Sequence, residues 1–157
     1  MSTGPTSTKD VETVERFIAA PAEKIFDLLA DPSRHRDIDG SGTVKASPDG
    51  SRRLALGDRF GMDMKMGIGY SMVSTVIEFD ENRRIAWQST SPIKVLGLVV
   101  GGRIWRYELE PTEGGTLVRE SWDVSQERIK AMVRPMRAKT RENMEKTLAR
   151  IEELVTA

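Results

Sequence analysis

The sequence predicts a single α+β domain in the order strand, two helices, six strands, long helix. Three observations carry this. An apolar stripe in helical register follows the first strand, between two prolines. The middle of the chain alternates apolar and polar residues in short segments divided by turn residues, and the C-terminal third returns to helical periodicity.

VETVERFIA at 11–19 is rich in Val, Ile and Phe and stops before a proline, as a strand does. Pro21 suits the first position of a helix whose Ala22, Ile25, Phe26 and Leu29 form one stripe, and Asp31-Pro32 ends it. The same Asp-Pro pair caps a second short helix over SRHRDI, after which Gly40 and Gly42 break the chain. Turns are expected at PDGS (48–51), GIG (67–69), DEN (80–82) and TEGG (112–115). They divide strands at 43–47, 59–66, 70–79, 84–90, 103–110 and 116–124, which makes a meander. In 59–66, Phe60, Met62, Met64 and Met66 share one face opposite Arg59, Asp63 and Lys65. Ile85 and Trp87, then Trp105, Tyr107 and Leu109, then Val118 and Trp122 assign inner faces in the same way. Strand 70–79 is apolar on both faces and has no readable orientation. Ser125 is the expected N-cap of the C-terminal helical region, whose stripe runs through Met144, Leu148, Ile151 and Val155. Pro135 interrupts it, either as a kink or as the first turn of a long helix that follows a short one ending near 133.

At 157 residues the chain fits one domain, with residues 1–10 as a loose polar tail and 11–157 as the folded unit. Twenty-four basic residues balance 24 acidic ones, so no global field draws nucleic acid. The absence of cysteine excludes disulfides and thiolate chemistry and makes the cytoplasm the expected location. No apolar run reaches the roughly 18 residues of a membrane span. No cofactor is expected. GYSMV at 69–73 lacks the second glycine of a nucleophile elbow, GIGYSM lacks the third glycine of a dinucleotide loop, and one histidine cannot build a two-His metal site. That histidine, His35, sits in the polar RHRD segment, reads as a surface residue and is given no role.

FIAAPAEKIFDLLADP at 17–32, LGDRF at 56–60 and the Trp/Tyr-bearing strands before a long last helix resemble the SRPBCC (START-like) superfamily, nearest its polyketide cyclase/dehydrase-like branch. The resemblance covers residues 11 to 155, and its motifs are structural. It implies a helix-grip fold: a seven-stranded antiparallel sheet around the C-terminal helix, enclosing a cavity for lipids, polyketides or other apolar ligands. Carriers, enzymes and partner-binding modules all occur on such a fold, so the reaction does not transfer with it.

Glu120 is the one acid/base candidate. Alternation puts it with Val118, Trp122 and Val124 on an apolar face. It is therefore either a desolvated carboxyl with a raised pKa in a cavity or, on a twisted strand, the partner of a marginal arginine. Phe60, Met62, Met64, Met66, Tyr70, Trp87, Trp105, Tyr107, Trp122, Met132 and Met136 are the candidate ligand contacts, as aromatic and thioether walls, or else they fill a solid core. Strand directions bring Ile68, Val95, Leu96, Leu98 and Val99 to the end of the sheet where the C-terminal region begins. These residues form either a ligand gate, with Gly97, Gly101 and Gly102 supplying mobility, or a core cap. Lys130, Arg134, Arg137 and Arg141 recur on one face of a basic amphipathic segment, which is either a solvated surface or a weak contact for anionic membrane or an acidic partner. The leading expectation is binding or carriage of a small apolar or aromatic ligand. A polyketide cyclase-, aromatase- or dehydratase-like enzyme using Glu120 is the alternative, and a ligand-free partner-binding module the third.

Overall fold

The computed structural model describes residues 8–46, 50–66, 68–91 and 101–157. β1 (Val11–Ile18) leads into α1 (Ala22–Leu29), a 3₁₀ turn (Pro32–Arg34) and α2 (His35–Ile38). β2 (Val44–Ala46), β3 (Arg59–Met66), β4 (Ile68–Asp80), β5 (Arg84–Thr90), β6 (Gly101–Thr112) and β7 (Gly115–Asp123) follow. The chain closes with α3 (Lys130–Val133), a 3₁₀ turn (Arg134–Met136) and α4 (Arg137–Thr156). Six long strands and the three-residue β2 form one antiparallel sheet in the order β1-β7-β6-β5-β4-β3-β2. β2–β7 are thus a meander, and β1 returns beside β7.

Alternate residues of the strands, apart from the register shift in β4, turn one face of the sheet to α4 and the short helices. Val14, Ile18, Phe60, Met62, Val76, Ile85, Trp87, Tyr107, Leu109, Val118 and Trp122 join Ile25, Phe26 and Leu29 of α1 in one buried cluster. Fully burying each of the larger side chains is worth roughly 1.5–3 kcal/mol. α4 contributes Met144, Leu148, Ile151 and Val155, the stripe expected from sequence, and packs mainly on β1. The end of α2 docks on α4 so closely that a Cβ on Gly40 would strike the Asn143 carbonyl oxygen, while Gly40 N donates to Thr147 Oγ1 at 2.8 Å.

Three local expectations change. β4 cannot be oriented by alternation because its register with β5 shifts between Val76 and Glu78, so Val76 and Phe79 both face the core while Glu78 faces out. The expected turn at 67–69 shrinks, since Ile68 and Gly69 already belong to β4. Ser125 does not cap a helix: its backbone N–H is taken by Asp123 Oδ1 at 2.9 Å, and helix begins only at Lys130. Pro135 lies in the 3₁₀ turn between α3 and α4, which resolves the choice in favour of a short helix followed by a long one.

Candidate functional site

β6 and β7 pair with Tyr107 opposite Glu120 and Trp105 opposite Trp122, and these four residues occupy the inner face at the middle of the sheet. Glu120 is 2% exposed. Tyr107 Oη donates to its Oε2 at 2.9 Å. Oε1 has no hydrogen-bond partner among the described residues. Burial pushes the Glu120 carboxyl up to about 8, the Tyr107 hydrogen bond pulling down only partly and the negative charge of Asp39 adding to the rise. The Tyr107 hydroxyl is held well above its ordinary range, first by burial and then by the charge of Glu120. The carboxyl therefore stays largely protonated at neutral pH, able to donate from one oxygen while the other accepts from tyrosine. The expectation that alternation turns Glu120 inward agrees with this geometry.

Around the pair the aromatic residues touch one another. Trp87 lies 5.6 Å from Tyr107 and 5.7 Å from Phe60, and Trp105 lies 6.4 Å from Trp122, centroid to centroid. Phe60, Met62, Trp87, Tyr107 and Trp122 are buried, while Met64 and Trp105 are partly buried against them. The side chains of Met66, Ile68 and Tyr70, and all of Val95, Leu96, Leu98 and Val99, lie outside the described residues. A cleft of about 310 Å³ lies elsewhere, on the outer face among Asp80, Arg83, Arg84, Glu108 and Arg119. Trp122 Nε1 is a second buried atom without a partner. Its side chain borders a void of about 10 Å³ beside Glu12 and Arg137, a volume near that of one water.

His35 corrects the sequence reading most sharply. It is buried, its Nε2 is 2.8 Å from the Leu29 carbonyl oxygen, and its ring stacks on Trp87 at 4.7 Å and 18°. Desolvation lowers its pKa and keeps it neutral. The 3₁₀ turn capped by Asp31, which accepts from Ser33 N at 3.0 Å, swings the polar RHRD segment so that this one residue points inward.

Met132 and Met136, expected to line the ligand site, are 52% and 36% exposed, with Ile129 at 40% beside them. The basic segment is not a free face. Arg137 pairs with the buried Glu12 at 3.2 Å, Arg141 with the same carboxylate at 3.5 Å, and Arg134 with Asp10 at 3.4 Å. Those cations fasten the last helical region to β1 rather than standing ready for an anionic membrane or an acidic partner; Lys130 alone of the four has no such tie among the described residues.

Sequence reasoning missed Glu127. Its side chain is 0% exposed, and it accepts from Gly101 N at 3.2 Å, Arg103 N at 2.9 Å and Arg103 Nε at 3.0 Å. Gly102, with φ +109°, lies so near that a Cβ would strike the Gln126 carbonyl oxygen. Gly101 and Gly102 are thus a clasped start of β6. Glu127 falls in the helical region expected after Ser125, off its apolar stripe, so no periodic signal marks it for burial.

No helix among the described residues is long and apolar enough to cross a membrane. By sequence, residues 11–156 match the family described as polyketide cyclase / dehydrase and lipid transport. The uncharacterized protein Rv0088 of Mycobacterium tuberculosis is 36% identical over 110 residues, 68% of this chain and 44% of that protein, so the chain spans less than half the length of this curated relative. Among solved structures, CV1439 of Chromobacterium violaceum superposes with a TM-score of 0.74 at 17% identity, covering 96% of this chain and 99% of that one. The Aha1 protein of Colwellia psychrerythraea, solved as a dimer, gives 0.63 at 17% identity over 92% of this chain and 95% of that one. At such identities the two structures show a common fold. With the profile matched over almost its whole length, the chain belongs to the polyketide cyclase / dehydrase and lipid transport family.

Proposed function

We propose that this protein binds and carries a small apolar or aromatic molecule, lipid- or polyketide-like, between the inner face of the sheet and α4. The carrying observation is Glu120: a buried carboxyl amid aromatic side chains, with one oxygen that has no second partner among the described residues. Buried polar groups are nearly always hydrogen-bonded, so we assign a polar group of the ligand to complete this one, and family membership supports a small hydrophobic ligand. Phe60, Met62, Met64, Trp87, Trp105, Tyr107 and Trp122 form the proposed wall, and the exposed Ile129, Met132 and Met136 the proposed approach to it.

Native mass spectrometry of protein purified from its own host tests this. A co-purifying apolar molecule, released by denaturation and displaced by an apolar fluorescent probe that receives energy from the tryptophans, is the expected result. A ligand-free protein that also fails to take up any apolar probe contradicts it. A second reading, as a cyclase- or dehydratase-type enzyme, rests on the same pair, because a carboxyl protonated near neutral pH is a competent general acid. Turnover of the bound molecule by the wild type and not by Glu120→Gln separates catalysis from carriage.

A further inference from the structure

The reading above leaves open what polar group the ligand bears, and the electrostatics around Glu120 bear on that. Among the described residues no arginine or lysine pairs with Glu120. The charged group acting on it from the end of α2 is the carboxylate of Asp39, which acts on Tyr107 as well. Asp39 is itself held in place by hydrogen bonds from Ser41 N at 3.0 Å and Val44 N at 2.8 Å. From β1 the cross-strand neighbour of Glu120 is Val14, and α4 turns Met144, Leu148 and Ile151 to the core. His35, the other titratable group of the aromatic cluster, is kept neutral by burial. The Glu120 site is thus acidic without a cation of its own among the described residues, the inner-face Arg137 and Arg141 being held by Glu12. Its aromatic rings are also without one: among the described residues the cation over a ring is Arg53 on Phe26, at the far side of α1.

We propose that the ligand of this site is an apolar amine, its nitrogen hydrogen-bonded to Glu120 Oε1 and its body against Tyr107, Trp105 and Trp122. The inference rests on the ligand-binding function proposed above. An ammonium group supplies the missing partner of Oε1, gains from the charge of Asp39 and meets the negative faces of the rings. A ligand carboxylate would stand beside the charge of Asp39 with no cation to offset it. An alcohol satisfies Oε1 but gains nothing from Asp39. When an ammonium ion binds, the Glu120 proton leaves to solvent; when a neutral amine binds, that proton passes from Oε1 to nitrogen. Both routes end as an ammonium–carboxylate pair.

The test compares a phenylbutyl amine, its alcohol and its carboxylate by calorimetry at neutral pH, with wild type and Glu120→Gln. The wild type should bind the amine about tenfold or more tightly than the alcohol, and the carboxylate most weakly. Glu120→Gln should bring amine and alcohol together while retaining the alcohol. Should that variant fail to fold, infrared spectroscopy of the wild type reads the same event: the protonated-carboxyl band of Glu120 should vanish with the amine and persist with the alcohol. Alcohol or carboxylate binding as tightly as the amine overturns the amine assignment and leaves the apolar-ligand function standing. Failure of all three to bind overturns both.

Discussion

Two glutamates on one sheet stand in opposite electrostatic worlds. Glu78, on the outer face of β4, is gripped by Arg106 through bonds of 2.8 and 2.7 Å and by Arg84 at 2.6 Å, and these cations pull its carboxyl down to about 2. Glu120, on the inner face of β7, accepts from Tyr107 and pairs with no cation among the described residues, and burial pushes it up to about 8. The same side chain is a permanent anion in one place and a neutral acid in the other. The difference lies in the surroundings each face offers: the outer face carries a ladder of opposed charges, Glu15–Arg119, Glu108–Arg84 and Glu78–Arg106, whereas the inner face around Glu120 is lined by apolar and aromatic side chains. A carboxylate with arginines ties neighbouring strands together as an anion; one without them holds its proton.

The largest expected effect comes from the carboxylate that combines both situations. Glu127 is buried and also paired, so Glu127→Ala leaves Arg103 and the start of β6 without an acceptor and should cost about 3–5 kcal/mol in denaturant unfolding. A loss below about 1 kcal/mol would mean that water replaces the clasp.

The next effect is pH dependence, and the two glutamates must give opposite signs. Glu120 has its folded pKa above the ordinary 4.5, so between 4.5 and about 8 the unfolded chain releases a proton that the folded one retains. Stability contributed below 4.5 is therefore lost with rising pH, by up to about 1.4 kcal/mol per unit. Glu120→Gln should flatten that slope. Glu78 has its folded pKa depressed, so its contribution is present above 4.5 and is lost as pH falls toward about 2. Glu78→Gln should flatten the acid limb and cost about 1–2 kcal/mol at neutral pH. Melting curves across pH for the three proteins check both signs; one variant flattening both limbs would collapse the comparison. The smallest effect belongs to the exposed Met132, where Met132→Ser should change stability by no more than about 0.5 kcal/mol.

The inner face was legible because period-two alternation needs only local sequence: Met62, Trp87, Tyr107, Glu120 and Trp122 all fall where it puts them. Alternation fails at β4, where an extra residue near Glu78 reverses the parity and no composition marks the bulge. His35 was unreadable because its burial depends on Trp87, distant in sequence, and on a turn that aims one residue of a polar segment inward. The ion pairs of the basic run at 130–141 are unreadable for the same reason: its acceptors, Asp10, Glu12 and backbone carbonyls of β1, lie at the other end of the chain. Local pattern reveals which face a residue occupies, and long-range pairing decides whether its charge is free.

The most direct test of a ligand-ready carboxyl on the inner face is a carbon-13 NMR titration of Glu120 in the unliganded protein, with Glu78 as internal contrast. The account predicts a Glu120 midpoint near 8, with Glu78 still ionised below 4.5. A Glu120 midpoint in the ordinary carboxylate range, close to 4.5, would mean that water or a cation already serves that oxygen, and the site would lose its anchor.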